Sequence, residues 1–317
     1  MGQTSIERSD TRKVDAVLRD QLARETRALV GVAPVVAHML DAEGSALVSE
    51  EIVARLRGMI DDIARQCVAA TGSEADEPCE VLAAVLAADE ALLGHLFAAA
   101  LEGQLTSALE ARSNIDPVLS PLLQELIASQ HPSTADLAMT TLAAQSRFCQ
   151  SQRRMDLALG ELPHEAFLRV LSCFENAPTG LELEMFARAI ARLKRDYDEA
   201  QSRIGLCARL ILAMREGAVA ALDLDHAGLA LFTTALASYS KQPRDLAVVS
   251  CHPGQSARLA LALRMAGRDG EEIERQFLAL GMDASVSGAI ETLSPARAGV
   301  LLSGRTDTAE AGGARPG

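Results

Sequence analysis

The chain has 317 residues, a formal net charge of −13, no Trp, two Tyr and seven Phe. Ala and Leu dominate the composition, and both favour helices that pack closely through small side chains. The negative net charge opposes a general electrostatic attraction to nucleic acid or to anionic lipid. We therefore expect neither a nucleic-acid partner nor a membrane partner.

Cysteine usage and the N-terminal sequence indicate the compartment. The six cysteines form no Cys-x-x-Cys pair, and most lie among apolar residues at helical spacing. Buried free thiols of this kind are typical of a reducing compartment. The first thirty residues are rich in charge and lack the apolar core of a signal peptide. These features predict a cytoplasmic protein.

Helical periodicity runs through the first half of the chain. Its clearest instance follows Ser49, a good N-cap, where Ile52, Leu56, Ile60 and Ile63 form one apolar stripe. Short connections between the helices predict neighbours that pack antiparallel. The pattern in this half predicts helices over about residues 11–29, 34–40, 50–68, 78–88, 90–111, 117–129 and 134–154.

The second half is also predicted to be helical. Pro163 suits the first position of a helix that runs to about Asn176. One long helix is then predicted over about residues 180–221, with a bend or a close contact at Gly205. Shorter helices are predicted over about residues 225–239, 243–250, 255–266, 270–280 and 294–302. No window alternates apolar and polar residues for long enough to predict a strand.

Two similar segments suggest an internal repeat. Residues 129–132 (SQHP) and 250–253 (SCHP) each precede an apolar helix. A shared helix-turn-helix unit would explain the similarity, and stacked units of this kind form HEAT-like solenoids. Chance is the competing explanation, because Pro is common near helix starts. We predict an all-α fold with a helical bundle over residues 1–130, an irregular HEAT-like helical-repeat region over 131–303 and a disordered tail over 304–317.

The densest polar cluster lies within residues 145–154. On a helix, Arg147, Gln150 and Arg154 lie near one another at steps of three and four, and Arg153 adjoins them. Guanidinium groups arranged in this way can hold a carboxylate or a phosphate, so the cluster is a candidate contact for an anion or a protein partner. The alternative is a solvated helix face whose arginines pair with the chain's own carboxylates. A second basic group has the same two interpretations: Arg188, Arg192, Lys194 and Arg195.

The sequence contains no recognisable motif for catalysis or for a cofactor. A Gly-rich phosphate loop, a nucleophile elbow and a His-Glu-x-x-His sequence are all absent. Asp61 and Asp62 lack the third aspartate of the prenyl-diphosphate motif, and the adjacent Cys251 and His252 are poorly placed to act as nucleophile and base. We therefore expect no catalytic, cofactor-binding or metal-binding residues.

Four segments resemble a known family: SEEIVARLRGMIDDIARQ (49–66), DPVLSPLLQELIAS (116–129), LAAQSRFCQSQRRMDLALGELP (142–163) and KQPRDLAVVSCHPGQSARLALALRMAG (241–267). The family consists of bacterial helical proteins of HEAT-like character that are catalogued as a domain of unknown function. The resemblance implies an all-helical cytoplasmic bacterial protein. It brings no catalytic or ligand-binding residues to this chain.

A helical-repeat architecture without a catalytic constellation is typical of proteins that hold other proteins. We therefore predict a non-enzymatic protein-interaction scaffold or adaptor, in bacterial signalling or stress regulation, whose partner is another protein. The alternative is a sensor of a small anionic ligand or nucleotide that uses Arg147, Arg153 and Arg154. An enzyme of unknown type is the third hypothesis, and no cofactor is predicted.

Overall fold

The computed structural model describes residues 3–32, 49–73, 75–180, 182–283 and 290–304. These residues form fourteen α-helices and no strand, which confirms the predicted all-α class. The helix predicted over residues 34–40 and the tail predicted beyond residue 304 lie outside the described residues.

In chain order, the α-helices are α1 Gln3–Val30, α2 Glu50–Ala69, α3 Asp76–Ala87, α4 Glu90–Ser113, α5 Pro121–Ile127, α6 Pro132–Arg154, α7 His164–Asn176, α8 Leu183–Asp196, α9 Arg203–Met214, α10 Leu224–Ser240, α11 Arg244–Ser250, α12 Ser256–Met265, α13 Gly270–Leu280 and α14 Pro295–Leu302. Short 3-10 helices cover Leu159–Glu161, Glu199–Gln201, Arg215–Leu222 and Pro253–Gln255. The bounds of α2, α4, α6 and α13 agree with the predicted bounds to within two residues.

Side-chain caps define several helix starts. The hydroxyl of Ser49 accepts a hydrogen bond from the Ile52 amide at 3.3 Å, as its position before the apolar stripe predicts. At α13, the carboxylate of Asp269 accepts from the Glu272 amide at 2.8 Å, and the Glu272 carboxylate accepts from the Asp269 amide at 3.0 Å. This reciprocal pair is a capping box, and it sets the first residue of α13.

The single long helix predicted over residues 180–221 is wrong, because local contacts interrupt it. Tyr197 is extended after α8, and its ring stacks on Phe167 with the centroids 3.9 Å apart. Ser202 then caps α9, where its hydroxyl accepts from the Gly205 amide at 3.1 Å. Gly205 lies in the first turn of α9, and a Cβ added there would clash with the Glu199 carbonyl oxygen. The expected close contact at Gly205 is therefore present, but it marks a helix start instead of a bend.

The chain packs as two compact units. The terminal unit comprises Met1–Ala28 and Leu236–Gly317, and the central unit comprises Leu29–Ala235. The N-terminal helix is thus grouped with the C-terminal helices. The predicted boundary near residue 130 lies inside the central unit, and the division into a bundle and a repeat region stays a prediction.

The core of the central unit is aliphatic. In this unit α2 packs against α3 and α4, and α6 packs against α5 and α9. Fully buried side chains at these contacts include Leu56, Met59, Ile63, Leu82 and Leu96. Long-chain aliphatic residues fill this core because the sequence supplies few rings.

The terminal unit is built around α12, which packs against α11, α13 and α14. In the described part of α1, Leu18 and Leu22 are the buried apolar side chains, and Asp15 and Glu25 are buried polar ones. Burial of two leucines contributes about 3–6 kcal/mol. The apolar contribution to the docking of α1 is therefore small for a helix of this length.

No single helix among the described residues is both long and apolar enough to cross a membrane. The pair α3 and α4 meets the length and composition requirement when the two are taken together, and it is bent by 93° at its break.

Candidate functional site

The predicted basic cluster lies on a solvent-exposed side of α6. Exposed residues follow one another along this helix at steps of three and four. We call this surface the α6 face, and its residues are Asp136, Met139, Ala143, Arg147, Gln150, Arg153 and Arg154. The structure therefore places all four predicted contact residues on the same exposed surface.

The polar side chains of the α6 face differ in how they are paired. The Nε of Arg154 donates to the Oδ2 of Asp156 at 2.7 Å, which engages this guanidinium locally. The Nε2 of Gln150 lies 3.5 Å from the Ser146 hydroxyl. Within the described part of the chain, Arg147 has no hydrogen bond and no ion pair. Met139 is 51% exposed, so the face also carries an accessible apolar side chain.

The opposite side of α6 contacts a buried ion pair. Glu102 of α4 and Arg203 of α9 are 1% and 3% exposed in their side chains. Two parallel hydrogen bonds join them, from Nη1 to Oε1 at 2.6 Å and from Nη2 to Oε2 at 2.8 Å. A bidentate pair of this kind is both strong and directional. It fixes α4 relative to α9 inside the central unit.

Two residues of α6 complete this buried pair. The guanidinium carbon of Arg203 lies 3.7 Å from the centroid of the Phe148 ring, which is a close cation–π contact. The Nη1 of Arg203 also lies 3.3 Å from the Oε1 of Gln145. The Nε2 of Gln145 in turn donates to the Pro117 carbonyl at 2.8 Å. Three helices, α4, α6 and α9, therefore meet at one guanidinium group.

Electrostatics keep this arginine charged. Burial alone disfavours the charged guanidinium, but the charge of Glu102 and its hydrogen bonds outweigh that cost and raise the pKa of Arg203 above its ordinary value. Removal of one partner from a buried pair leaves the other charge without compensation. The pair is therefore a structural anchor that cannot lose one member without a large cost.

A second anchor lies near the C-terminal end of α6. The Nη1 of Arg55, on α2, donates to the backbone carbonyl of Gln152 at 2.7 Å. Its Nη2 donates to the Oε1 of Glu51 at 2.8 Å. The Oε1 of Gln152 is buried and has no hydrogen-bond partner among the described residues. A Cβ added to Gly103 of α4 would lie 2.8 Å from this oxygen. The absence of a side chain at Gly103 thus lets α4 and α6 approach closely.

A small cleft adjoins the buried pair. Its mainly apolar lining includes Thr106, Pro117, Gln145, Cys207 and Leu229. The centre of a water-sized molecule can occupy only about 30 Å³ of it, far below the roughly 300 Å³ at which small-molecule pockets begin. The Thr106 hydroxyl is already bonded to the Glu102 carbonyl at 2.7 Å. The cleft has room for one or two waters and none for a nucleotide.

The second basic group lies on α8 and is largely paired with nearby carboxylates. Arg192 lies 3.6 Å from Asp196, Arg195 lies 3.1 Å from the same carboxylate, and Lys194 lies 3.7 Å from Glu175. The Nε of Arg188 donates to the Glu184 carbonyl at 3.2 Å. Exposed pairs of this kind contribute little to stability.

Two buried thiols and the imidazole of His252 are enclosed or bonded locally. Burial raises the pKa of Cys67 to about 12, so this thiol is not a ready nucleophile. The Sγ of Cys251 lies 3.4 Å from the Ala247 carbonyl, whereas the Nδ1 of His252 accepts from the Gly254 amide at 3.1 Å. The described residues contain no group of three or more His, Cys, Asp or Glu side chains that could hold a metal ion.

Comparisons with known proteins assign no family to the chain. No family model matches it, and neither the curated proteins nor the solved structures contain a match. The resemblance to a bacterial helical family stays a prediction.

Proposed function

We propose that the chain is a non-enzymatic protein-interaction scaffold or adaptor and that the α6 face holds its protein partner. The observation that carries this proposal is the two-sided character of α6. Its inner side is fixed by Arg203 and Arg55, and its outer side leaves Met139 and Arg147 accessible.

The fixed inner side favours binding on the outer side. A helix that is already held in place loses little conformational freedom when a partner docks. The contacts of Phe148, Gln145 and Gln152 anchor α6 at three points along its second half. The basic residues of the α6 face project from this anchored half.

The chemistry of the α6 face suits a protein surface. Arginine and methionine are both enriched at protein interfaces, and methionine adapts to irregular partner surfaces. Arg147 and Arg153 offer positive charge in a chain whose net charge is −13, so the site is local. An acidic patch on the partner protein would be complementary to it.

A sensor of small anions is the second candidate, because Arg147 has no internal partner among the described residues. Two observations weigh against it. Arg154 is already engaged by Asp156, and the cleft described above is lined by other residues and is too small for a nucleotide. A panel of nucleotides and anionic metabolites would raise the melting temperature under this alternative and leave it unchanged under the scaffold proposal.

We also propose a repeat architecture for the second half of the chain and a cellular role. Pro132 occupies the first turn of α6, and Pro253 begins the 3-10 turn that leads into α12. Each of the two similar segments thus leads into a helix, which supports an irregular HEAT-like array after residue 130. The resemblance described above supports a cytoplasmic bacterial protein that acts in signalling or stress regulation.

The test compares two double variants with the wild type. Arg147→Glu/Arg153→Glu reverses charge on the α6 face, and Arg65→Glu/Arg192→Glu makes the same change at exposed positions of α2 and α8. Cross-linking in the cells that naturally produce the protein identifies the partner. Calorimetry with the purified partner then measures its affinity for the wild type and for each variant. We expect the α6 variant to bind at least about tenfold more weakly, which is about 1.4 kcal/mol, and the control to bind normally. Equal binding by the wild type and the α6 variant would refute the assignment to the α6 face, and the absence of any partner would refute the scaffold.

A further inference from the structure

Within the terminal unit, a side chain of α1 caps one of the C-terminal helices. The Oε1 of Glu25 accepts a hydrogen bond from the Ala257 amide, and its Oε2 accepts one from the Arg258 amide, both at 2.9 Å. These amides belong to the first turn of α12, where backbone donors have no partner within the helix. The preceding residue, Gln255, makes no side-chain cap there. A side chain more than 200 residues away in the sequence therefore caps α12.

Further contacts surround this cap. The Nη2 of Arg258 donates to the Thr26 hydroxyl at 2.8 Å, and the Nε2 of Gln255 donates to the Glu25 carbonyl at 3.1 Å. Ten residues earlier on α1, the Oδ2 of Asp15 pairs with the Nη2 of Arg297 at 2.7 Å. The attachment thus combines two carboxylates on α1 with the amides that begin α12 and with the guanidinium of Arg297.

The spacing of these contacts defines a recognition pattern. Asp15, Leu18, Leu22 and Glu25 follow one another at steps of three, four and three, so they share one side of α1. All four are buried, whereas Val17 on the same helix is 61% exposed. An amphipathic helix held by two apolar anchors and terminal charges is the geometry by which grooves bind separate helical peptides.

We infer that the surface contacted by α1, which we call the α1 groove, is a second docking site and that α1 occupies it as an internal competitor. Its occupant in a complex is an amphipathic helix of a protein partner with the spacing Asp-x2-Leu-x3-Leu-x2-Glu. The ion pair of Asp15 with Arg297, the capping of the α12 amides by Glu25 and the seating of α1 itself identify this chemistry. The site goes beyond the proposed function, because it uses no residue of the α6 face.

The experiment uses the full chain and a fluorescent peptide with the sequence of residues 13–30. The Leu18→Asp/Leu22→Asp variant of the chain cannot keep its own α1 docked, so its groove is open to the peptide. We expect the peptide to bind this variant at least about tenfold more tightly than the wild type, in which α1 competes. A control peptide with Leu22→Asp and Glu25→Ala should bind neither protein.

A charge reversal then locates the peptide. Arg297→Glu, introduced into the leucine variant, should weaken peptide binding about tenfold, and a peptide with Asp15→Arg should recover it. Rescue would not follow from a merely structural effect of the substitution, because only the matched pair restores opposite charges. If the leucine variant loses its cooperative thermal transition, Glu25→Ala replaces it. This change removes the cap and keeps both leucines, so α1 competes less strongly than in the wild type and the peptide should bind more tightly than to the wild type.

Two results would overturn the inference. One is a folded variant that does not bind the peptide, which would mean that the groove accepts α1 only as part of its own fold. The other is concentration-dependent dimerisation of the wild type in sedimentation that the leucine variant lacks, which would make a second copy's α1 the occupant. Neither result bears on the α6 face, because the peptide experiment leaves that surface unchanged.

Discussion

Replacement of Arg203 by Met tests whether the buried pair anchors the central unit. Arg203→Met keeps an unbranched side chain and removes the cation, so the Glu102 carboxylate loses the two bonds at 2.6 and 2.8 Å that the guanidinium supplies. The variant also loses the contact at 3.7 Å with the Phe148 ring. Both losses occur where the side chains are almost fully enclosed.

The expected cost follows from this burial. Loss of one partner of a buried ion pair costs about 3–5 kcal/mol, and the ring contact places the value in the upper part of that range. For a unit of the size of Leu29–Ala235, such a loss corresponds to a fall in melting temperature of roughly 6–20 °C. Arg203→Lys should fall between the wild type and Arg203→Met, because an ammonium cannot form both parallel bonds or lie flat on the ring.

Urea unfolding followed by circular dichroism measures these free energies of unfolding. Hydrogen exchange in α4, α6 and α9 then shows whether the loss arises in the central unit. The matched control is Arg192→Met, which removes an exposed pair with a 3.6 Å separation from Asp196 and should cost less than about 1 kcal/mol. A cost for Arg203→Met as small as that of the control would refute the anchoring role.

Two further changes test the backbone contact at Gly205 and the burial of Glu25. Gly205→Ala should destabilise the chain by about 1–3 kcal/mol in urea unfolding, because the added Cβ meets the Glu199 backbone and not a flexible side chain. A variant as stable as the wild type would contradict this contact. Burial outweighs the amide hydrogen bonds and raises the pKa of Glu25 above 4.5, so the folded state binds this proton more tightly than the unfolded state. The contribution of Glu25 to stability is then fully present below its unfolded pKa and is lost as the pH rises through the raised folded pKa. Wild type should therefore lose stability relative to Glu25→Gln over that interval, and parallel pH profiles would show that the shift is absent.

Sequence periodicity and capping predict most of the helices because both act locally. At α2, Ser49 places the first residue, and the apolar stripe that continues to Cys67 places the end. The prediction of one long helix over residues 180–221 is wrong for a different reason. Apolar residues continue at helical spacing there, but the Ser202 cap and the stacking of Tyr197 on Phe167 divide the segment. Ring stacking between separate helices cannot be derived from spacing within one helix.

The candidate site likewise has one part that the sequence predicts and one part that it does not. The spacing of Arg147, Gln150 and Arg154 along α6 predicts that they share a face, and they do. The buried pair could not be predicted, because Glu102 and Arg203 lie 101 residues apart and each has ordinary neighbours. One signal was present: Glu102 interrupts an apolar run in α4, where a charge needs a buried partner.

The buried pair raises the question of why an ion pair occupies a position that apolar residues could fill. Well-packed apolar replacements of buried pairs are often neutral or stabilising, so stability alone does not explain it. Arg203 differs from an apolar residue because it orients two side chains of α6, Phe148 by ring contact and Gln145 by a hydrogen bond at 3.3 Å. We expect it to fix the position of the α6 face.

The double variant Glu102→Leu/Arg203→Met separates stability from orientation. It leaves no uncompensated charge, so it should recover most of the stability that Arg203→Met alone loses. Its α6 amides should nevertheless exchange faster than those of the wild type, and the partner of the α6 face should bind more weakly, because the second half of α6 loses the contacts of Phe148 and Gln145 with Arg203. Recovery of stability together with wild-type exchange and binding would show that the buried pair is not needed to position α6. In that event the α6 face would be held by apolar packing and by two remaining directional contacts, the bond of Arg55 to the Gln152 backbone carbonyl and the bond of Gln145 to the Pro117 carbonyl.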